Sequence, residues 1–193
     1  LSRAPVQLRK RLDAATYRRA AQAKHEDFIV FLAGPFIDPT QPIPEDSSPA
    51  TKLRYELYSR LTDEGHLVSL GEYKDVINAY KDELGSYHNA AIAEIGHATE
   101  SAHAVVMIVD SPGSFAEIGA FSMKEEICRK MIVISDIAHE GSDGYVRNGP
   151  VILSESFGAE VRFVDLSAVD LTEHFIKQFL AKLSQKHRAK LII

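Results

Sequence analysis

Cysteine is nearly absent: the 193 residues contain one, Cys128. That excludes an internal disulfide framework and fits a reducing compartment, so the expected location is the cytoplasm. Cys128 falls in a helical stretch with no obvious His partner, so an inert thiol is expected. No apolar run approaches the roughly 20 residues of a spanning helix, and no membrane contact is expected. No signal peptide is visible from Leu1 onward. Positive charge is also short: 22 Lys and Arg stand against 27 Asp and Glu, net −5. That balance argues against broad nucleic-acid binding. No lysine completes a Gly-Lys-Ser/Thr phosphate loop, and Gly34-Pro35-Phe36 does not continue into G-x-G-x-x-G. Nucleoside triphosphates and NAD as a redox cofactor are therefore disfavoured, and no cofactor is expected.

What is present is ordinary for a globular domain, 45% apolar and 25% charged residues. The length fits one domain with a substantial core. Charge is uneven. Residues 1–26 carry Arg3, Arg9, Lys10, Arg11, Arg18, Arg19 and Lys24, with Leu8, Leu12, Ala15 and Ala20 on one side. This segment reads as a basic helical arm, either solvated and packed on a partner or in contact with nucleic acid. The domain proper spans 27–193.

Apolar runs at Phe28–Ala33, His66–Leu70, His103–Val109, Lys130–Ser135 and Val161–Asp165 read as strands. Between them, Leu53, Leu57 and Leu61 repeat at helical spacing before Gly65. Tyr73–Glu100 reads as helix broken at Gly85 and Gly96, and Ala116–Arg129, Val151–Phe157 and Leu171–Leu183 as helices. Residues 38–49 and 138–149 read as loops. Alternation of strand and helix predicts an α/β fold: a flavodoxin- or Rossmann-like, doubly wound, five-stranded parallel sheet in order 2-1-3-4-5, with helices on both faces. Ligands in such sheets bind at the carboxyl ends of the strands, at the switch point between strands one and three.

That rule brings Gly34-Pro35-Phe36 beside Asp110-Ser111-Pro112-Gly113-Ser114-Phe115-Ala116-Glu117. A small turn between a strand and a helix aims N–H groups at one spot, where an anion can sit. The same residues also suit a plain turn. Glu117 in the first helical turn is either an acid stabilised by the helix dipole or a nucleophile toward an anomeric carbon. Glu94 is the candidate acid/base partner. Glu94, His97 and His88 could suggest a metal, but no second matching pair is present and no metal is expected. Phe36 is either a stacking platform for a base or a core residue. Tyr17, Tyr55, Tyr58, Tyr73, Tyr80 and Tyr87 read as surface or packing residues.

Phe31–Phe36 and Ser111–Gly119 together resemble the nucleoside 2-deoxyribosyltransferase family, closest to its nucleoside 5′-monophosphate N-glycosidase branch. The resemblance runs from Asp27 to Leu183. It implies that Glu117 attacks C1′ and releases the base, and that Glu94 is the nearest acid to the family's second carboxylate. It implies that Asp110, Ser111, Gly113 and Ser114 hold the sugar end, with Gly34, Pro35 and Phe36 as the floor. It further implies a homodimer, with Asn148 as a candidate contribution from the neighbouring subunit. The family's basic group near the Gly-Pro-Phe turn is missing, since Ile37 and Asp38 stand there. Related domains serve as nucleotide-depleting effectors in bacterial defence or toxin systems, where NAD or nucleotides are cleaved. The expected function is thus cleavage of an N-glycosidic bond in a nucleoside or nucleotide. The alternatives are such an effector, a non-catalytic nucleotide-sensing module, and an assembly subunit whose arm binds nucleic acid.

Overall fold

The structure is a computed structural model that describes residues 28–78 and 80–192. The basic arm, residues 1–26, lies outside the described residues. Five parallel strands form one sheet in the order β2-β1-β3-β4-β5, as the alternation predicts. They are β1 (Ile29–Ala33), β2 (Leu67–Ser69), β3 (Ala104–Val109), β4 (Met131–Asp136) and β5 (Glu160–Val164). β1 and β3 pair from Val30 opposite Ala104 to Ala33 opposite Met107, which fixes the switch point.

The period of two along each strand splits the core into two halves. Val30, Leu32, Ala104, Val106 and Ile108 face one side, where they meet Leu53, Leu57 and Leu61 of α1 (Pro49–Asp63) and Ile176, Phe179 and Leu180 of the last helix. Phe31, Ala33, Val105, Met107 and Val109 face the other side and meet Ala98, Ile118, Phe121 and Ile127. Burial on both faces is why these strands read as continuous apolar runs.

α1 starts where Ser48 accepts from the Thr51 amide at 3.2 Å and Pro49 takes the first helical position. The segment after β2 is helical in pieces: α2 (Lys74–Asn78), α3 (Lys81–Leu84) and α4 (Ala90–Gly96). The chain turns at Gly85, as expected, but Gly96 is no break, because a π-helical turn, His97–Ser101, continues α4. The expected helix Ala116–Arg129 is two, α5 (Pro112–Phe121) and α6 (Glu125–Cys128). α7 (Ile152–Ser156) is extended upstream by a π-helical turn, Arg147–Val151, that begins inside the expected loop. α8 (Val169–Ile192) is held to α1 by Arg60, whose Nη1 meets Asp170 at 2.7 Å and Glu173 at 2.6 Å.

Cys128 is buried, and that burial raises its thiol pKa, in keeping with an inert role. Among the described residues no helix is long and apolar enough to cross a membrane. Leu57 is fully buried between α1 and the sheet, whereas Leu171 is 50% exposed on α8. Leu57→Ala is expected to cost about 2–5 kcal/mol in urea denaturation, and Leu171→Ala less than about 0.5 kcal/mol.

Candidate active site

A cleft of about 540 Å³ opens at the carboxyl ends of β1 and β3, at the predicted switch point. Its first wall is the turn after β1. Gly34 has φ +147, and a Cβ there would lie 3.0 Å from both the Cβ and the carbonyl oxygen of Ile108 on β3. The turn therefore sits against β3 only because residue 34 has no side chain. Pro35 and Ile37 are buried, while Phe36 between them is 71% exposed at the cleft. Of the two readings of Phe36, core packing does not hold, and its face is exposed at the cleft.

The turn is organised by a residue outside the expected site. Arg54 of α1 is 1% exposed. Its Nε and Nη2 donate to the Leu32 carbonyl at 3.2 and 2.6 Å, and its Nη1 to the carbonyls of Pro35 at 2.7 Å and Gly34 at 3.2 Å. Nη2 also donates to Glu72 Oε2 at 3.0 Å and Nη1 to Glu72 Oε1, a bidentate pair. Glu72 in turn accepts from the Ile37 amide at 3.3 Å. The basic group missing from the Gly-Pro-Phe turn is supplied from α1. The signal was there: position 54 belongs to the buried stripe of Ala50, Leu53, Leu57 and Leu61.

The second wall is the turn after β3, and it differs from the expectation. The helix begins at Pro112, with Ser111 as its cap. Ser114 Oγ accepts from the amides of Asp110 at 2.9 Å and Ser111 at 2.7 Å, and donates to the Ser111 carbonyl at 2.9 Å. Ser111 Oγ accepts from the Ser114 amide at 3.2 Å, completing a capping box. The Phe115 amide donates to the Ser111 carbonyl. With Pro112 lacking an N–H, only the Gly113 amide is left in this turn to meet a ligand. Most of the expected anion cradle is spent on the cap. Ser114 is fully buried and serves the turn. Ser111 and Gly113 line the cleft; Asp110 does not, and accepts instead from Ser48 Oγ at 3.4 Å.

Because the helix starts at Pro112, Glu117 stands in its second turn, beyond the reach of a simple dipole explanation. It lines the cleft, and its Oε2 is buried with no hydrogen-bond partner. Burial, and then the negative charge of Glu94, push its pKa up to about 7, against the pull of Arg54. Glu94, on α4, lines the same cleft, and its own pKa is raised by burial and by Glu72. Gly71 makes room for it: a Cβ there would lie 2.5 Å from Glu94 Oε1. Glu72 was not anticipated, since an acid after a short strand looks like any loop acid.

The remaining candidates lie elsewhere. Asn148 is exposed on the π-helical turn and is not among the residues lining the cleft. His97 turns away from Glu94: its Nε2 meets Ser69 Oγ at 2.8 Å, and its ring sits edge-on to Phe31. Burial lowers its pKa. His88 Nε2 meets the Ile77 carbonyl oxygen. Among the described residues no group of His, Cys, Asp and Glu could hold a metal ion.

Comparison with known proteins decides the family. The family model described as STM3845 retron effector protein matches residues 50–191, a span that includes Arg54, Glu72, Glu94 and Glu117. The chain belongs to this family. It is also 29% identical over 97 residues to a retron Ec86 protein of Escherichia coli, by its name a candidate ribosyltransferase/DNA-binding protein. That match covers 47% of this chain and 32% of the relative, so the chain spans about a third of the length of the curated relative it matches. Family and relative are both retron proteins, which overturns the resemblance to the nucleoside 2-deoxyribosyltransferases. The motifs behind that resemblance are a close turn after β1 and a capped turn with an acid after β3. This sheet places such turns at its switch point, so they mark the fold more than the family.

Two outcomes follow for the retron chain. Arg54→Met is expected to cost about 3–5 kcal/mol in urea denaturation, because three carbonyls and Glu72 lose their partner. Glu117 has a folded pKa of about 7 against an ordinary 4.5, so folding favours its protonated form. Its contribution is most favourable below pH 4.5 and is lost as pH rises through about 7, on the order of 3 kcal/mol in all. Glu117→Gln should therefore raise the stability midpoint at pH 8 and change it little at pH 4.

Proposed function

We propose that this retron effector cleaves an N-glycosidic bond in a nucleotide or in NAD, with Glu117 as the nucleophile. The observation that supports it most is the charge of the cleft. Three carboxylates face it, Glu72, Glu94 and Glu117, and its one guanidinium is already paired with Glu72. Such a site is ill suited to developing negative charge and well suited to an oxocarbenium-like transition state. The name of the Ec86 relative, which includes ribosyl transfer, agrees with this reading.

In the proposed reaction a Glu117 carboxylate oxygen bonds to C1′ as the C1′–N bond breaks, and the bonding electrons leave with the base. Glu94, with its raised pKa, gives its proton to a base that leaves as an anion. Water or another acceptor then releases the sugar from Glu117 and returns a proton to Glu94. Near pH 7 Glu117 is balanced between its two forms, so loss of its proton on raising pH switches the nucleophile on. Phe36 offers a flat apolar face for the base. A homodimer and a partner-docking role for residues 1–26 belong to the same proposal, with the mass in solution of the whole and arm-deleted chain as their readout.

The test is release of free base, followed by chromatography, from nucleosides, their monophosphates and NAD. Glu117→Gln should lower the rate on the order of 10²–10⁴-fold. Glu94→Gln should slow substrates whose base needs a proton, and barely slow NAD, whose nicotinamide leaves neutral. Wild-type rates in Glu117→Gln would end the nucleophile assignment. Binding without base release would make the chain a sensing module.

A further inference from the structure

A second cavity, of about 230 Å³, lies at the carboxyl ends of β3, β4 and β5 and is lined by Val109, Phe115, Ser135, Tyr145, Arg147 and Phe163. Phe115 and Glu117 are two residues apart on α5, about 200° around the helix. The cavity and the carboxylate cleft therefore flank opposite sides of α5.

The unusual group here is Arg147. Its guanidinium lies over the Phe163 ring, 5.2 Å from the centroid. Its Nη1 is buried, with no hydrogen-bond partner among the described residues, and no described carboxylate pairs with it. Arg54 and Arg60, by contrast, are both paired with carboxylates. A partly buried cation with an unspent donor asks for an anion, and guanidinium matches phosphate in shape as well as charge. Around it the walls are largely apolar, and Tyr145, 85% exposed, stands at the lining as a free aromatic face. The volume is below the roughly 300–1,000 Å³ of sites that enclose a whole small molecule, so one end of the ligand enters and the rest stays outside.

We propose that this cavity is a second ligand site that takes a nucleoside monophosphate, with the phosphate on Arg147 and the base against Tyr145. The proposal does not depend on catalysis at Glu117.

The experiment is calorimetric titration of the full chain carrying Glu117→Gln, which blocks the proposed turnover, with adenosine 5′-monophosphate, adenosine and inorganic phosphate. The monophosphate should bind more tightly than either fragment. Arg147→Met should weaken it about tenfold or more. Tyr145→Ala, a change at an exposed position, should weaken the monophosphate and leave phosphate unchanged. Phe36→Ala, in the other cleft, should leave the Arg147-dependent binding unchanged. If Arg147→Met does not fold, Arg147→Lys keeps the charge and should still weaken the monophosphate, because the planar fork is lost. No binding, binding indifferent to Arg147, binding lost in Phe36→Ala alone, or phosphate binding as tightly as the monophosphate each overturns the proposal. Base release by the chain with Glu117 intact is scored separately, so either conclusion can fail while the other stands.

Discussion

The carboxyl edge of this sheet depends on one guanidinium. Arg54 reaches from α1 under the turn after β1 and holds the carbonyls of Leu32, Gly34 and Pro35. Buried backbone carbonyls need partners, and in a turn there is no neighbouring strand to provide them. Arg54 provides them and fixes Glu72 in a bidentate grip at the same time. A buried ion pair adds little net stability compared with a well-packed apolar core. What it adds here is position: the floor of the cleft, and the orientation of a carboxylate that acts on two others.

That arrangement explains the electrostatics of the cleft. Arg54 is the cation that draws Glu117 toward ionisation, yet its charge is shared with Glu72, which pushes Glu94 and Glu117 the other way. Burial dominates both shifts. Two acids in one pocket with raised pKa values, one of them holding an unsatisfied oxygen, are a costly arrangement for a folded chain. Perturbed acids in a cleft are what acid–base and nucleophilic chemistry require.

The sheet was legible because strands buried on both faces leave unbroken apolar runs, and the order 2-1-3-4-5 followed from alternation with helices. Glu117, Glu94, Gly34 and Phe36 do meet in one cleft. Asp110 does not join it, and Ser114 is turned to capping. The start of α5 is readable in principle, since Ser111-Pro112 followed by Ser114 is a cap signature, although the same residues also suit an open turn. The pairing of Arg54 with Glu72 is the least legible part of the site. Its partners are 18 residues apart, and only the misplaced charge in an apolar stripe hinted at it. The first family suggested by the two turns does not hold, whereas a bacterial defence effector, one of the alternatives the sequence left open, agrees with the retron family.

The capping box between Ser111 and Ser114 also has a geometric consequence. With the Asp110 amide also donating to Ser114 Oγ, it clamps the two residues after β3 to the first turn of α5, which restrains rotation of the helix about its axis. Each residue of an α-helix advances about 100°. The bearing of Glu117 is therefore set by counting from Val109, and an insertion or deletion of one residue in between would swing the carboxylate out of the cleft, leaving the fold intact and the compass needle pointing at solvent or at the core.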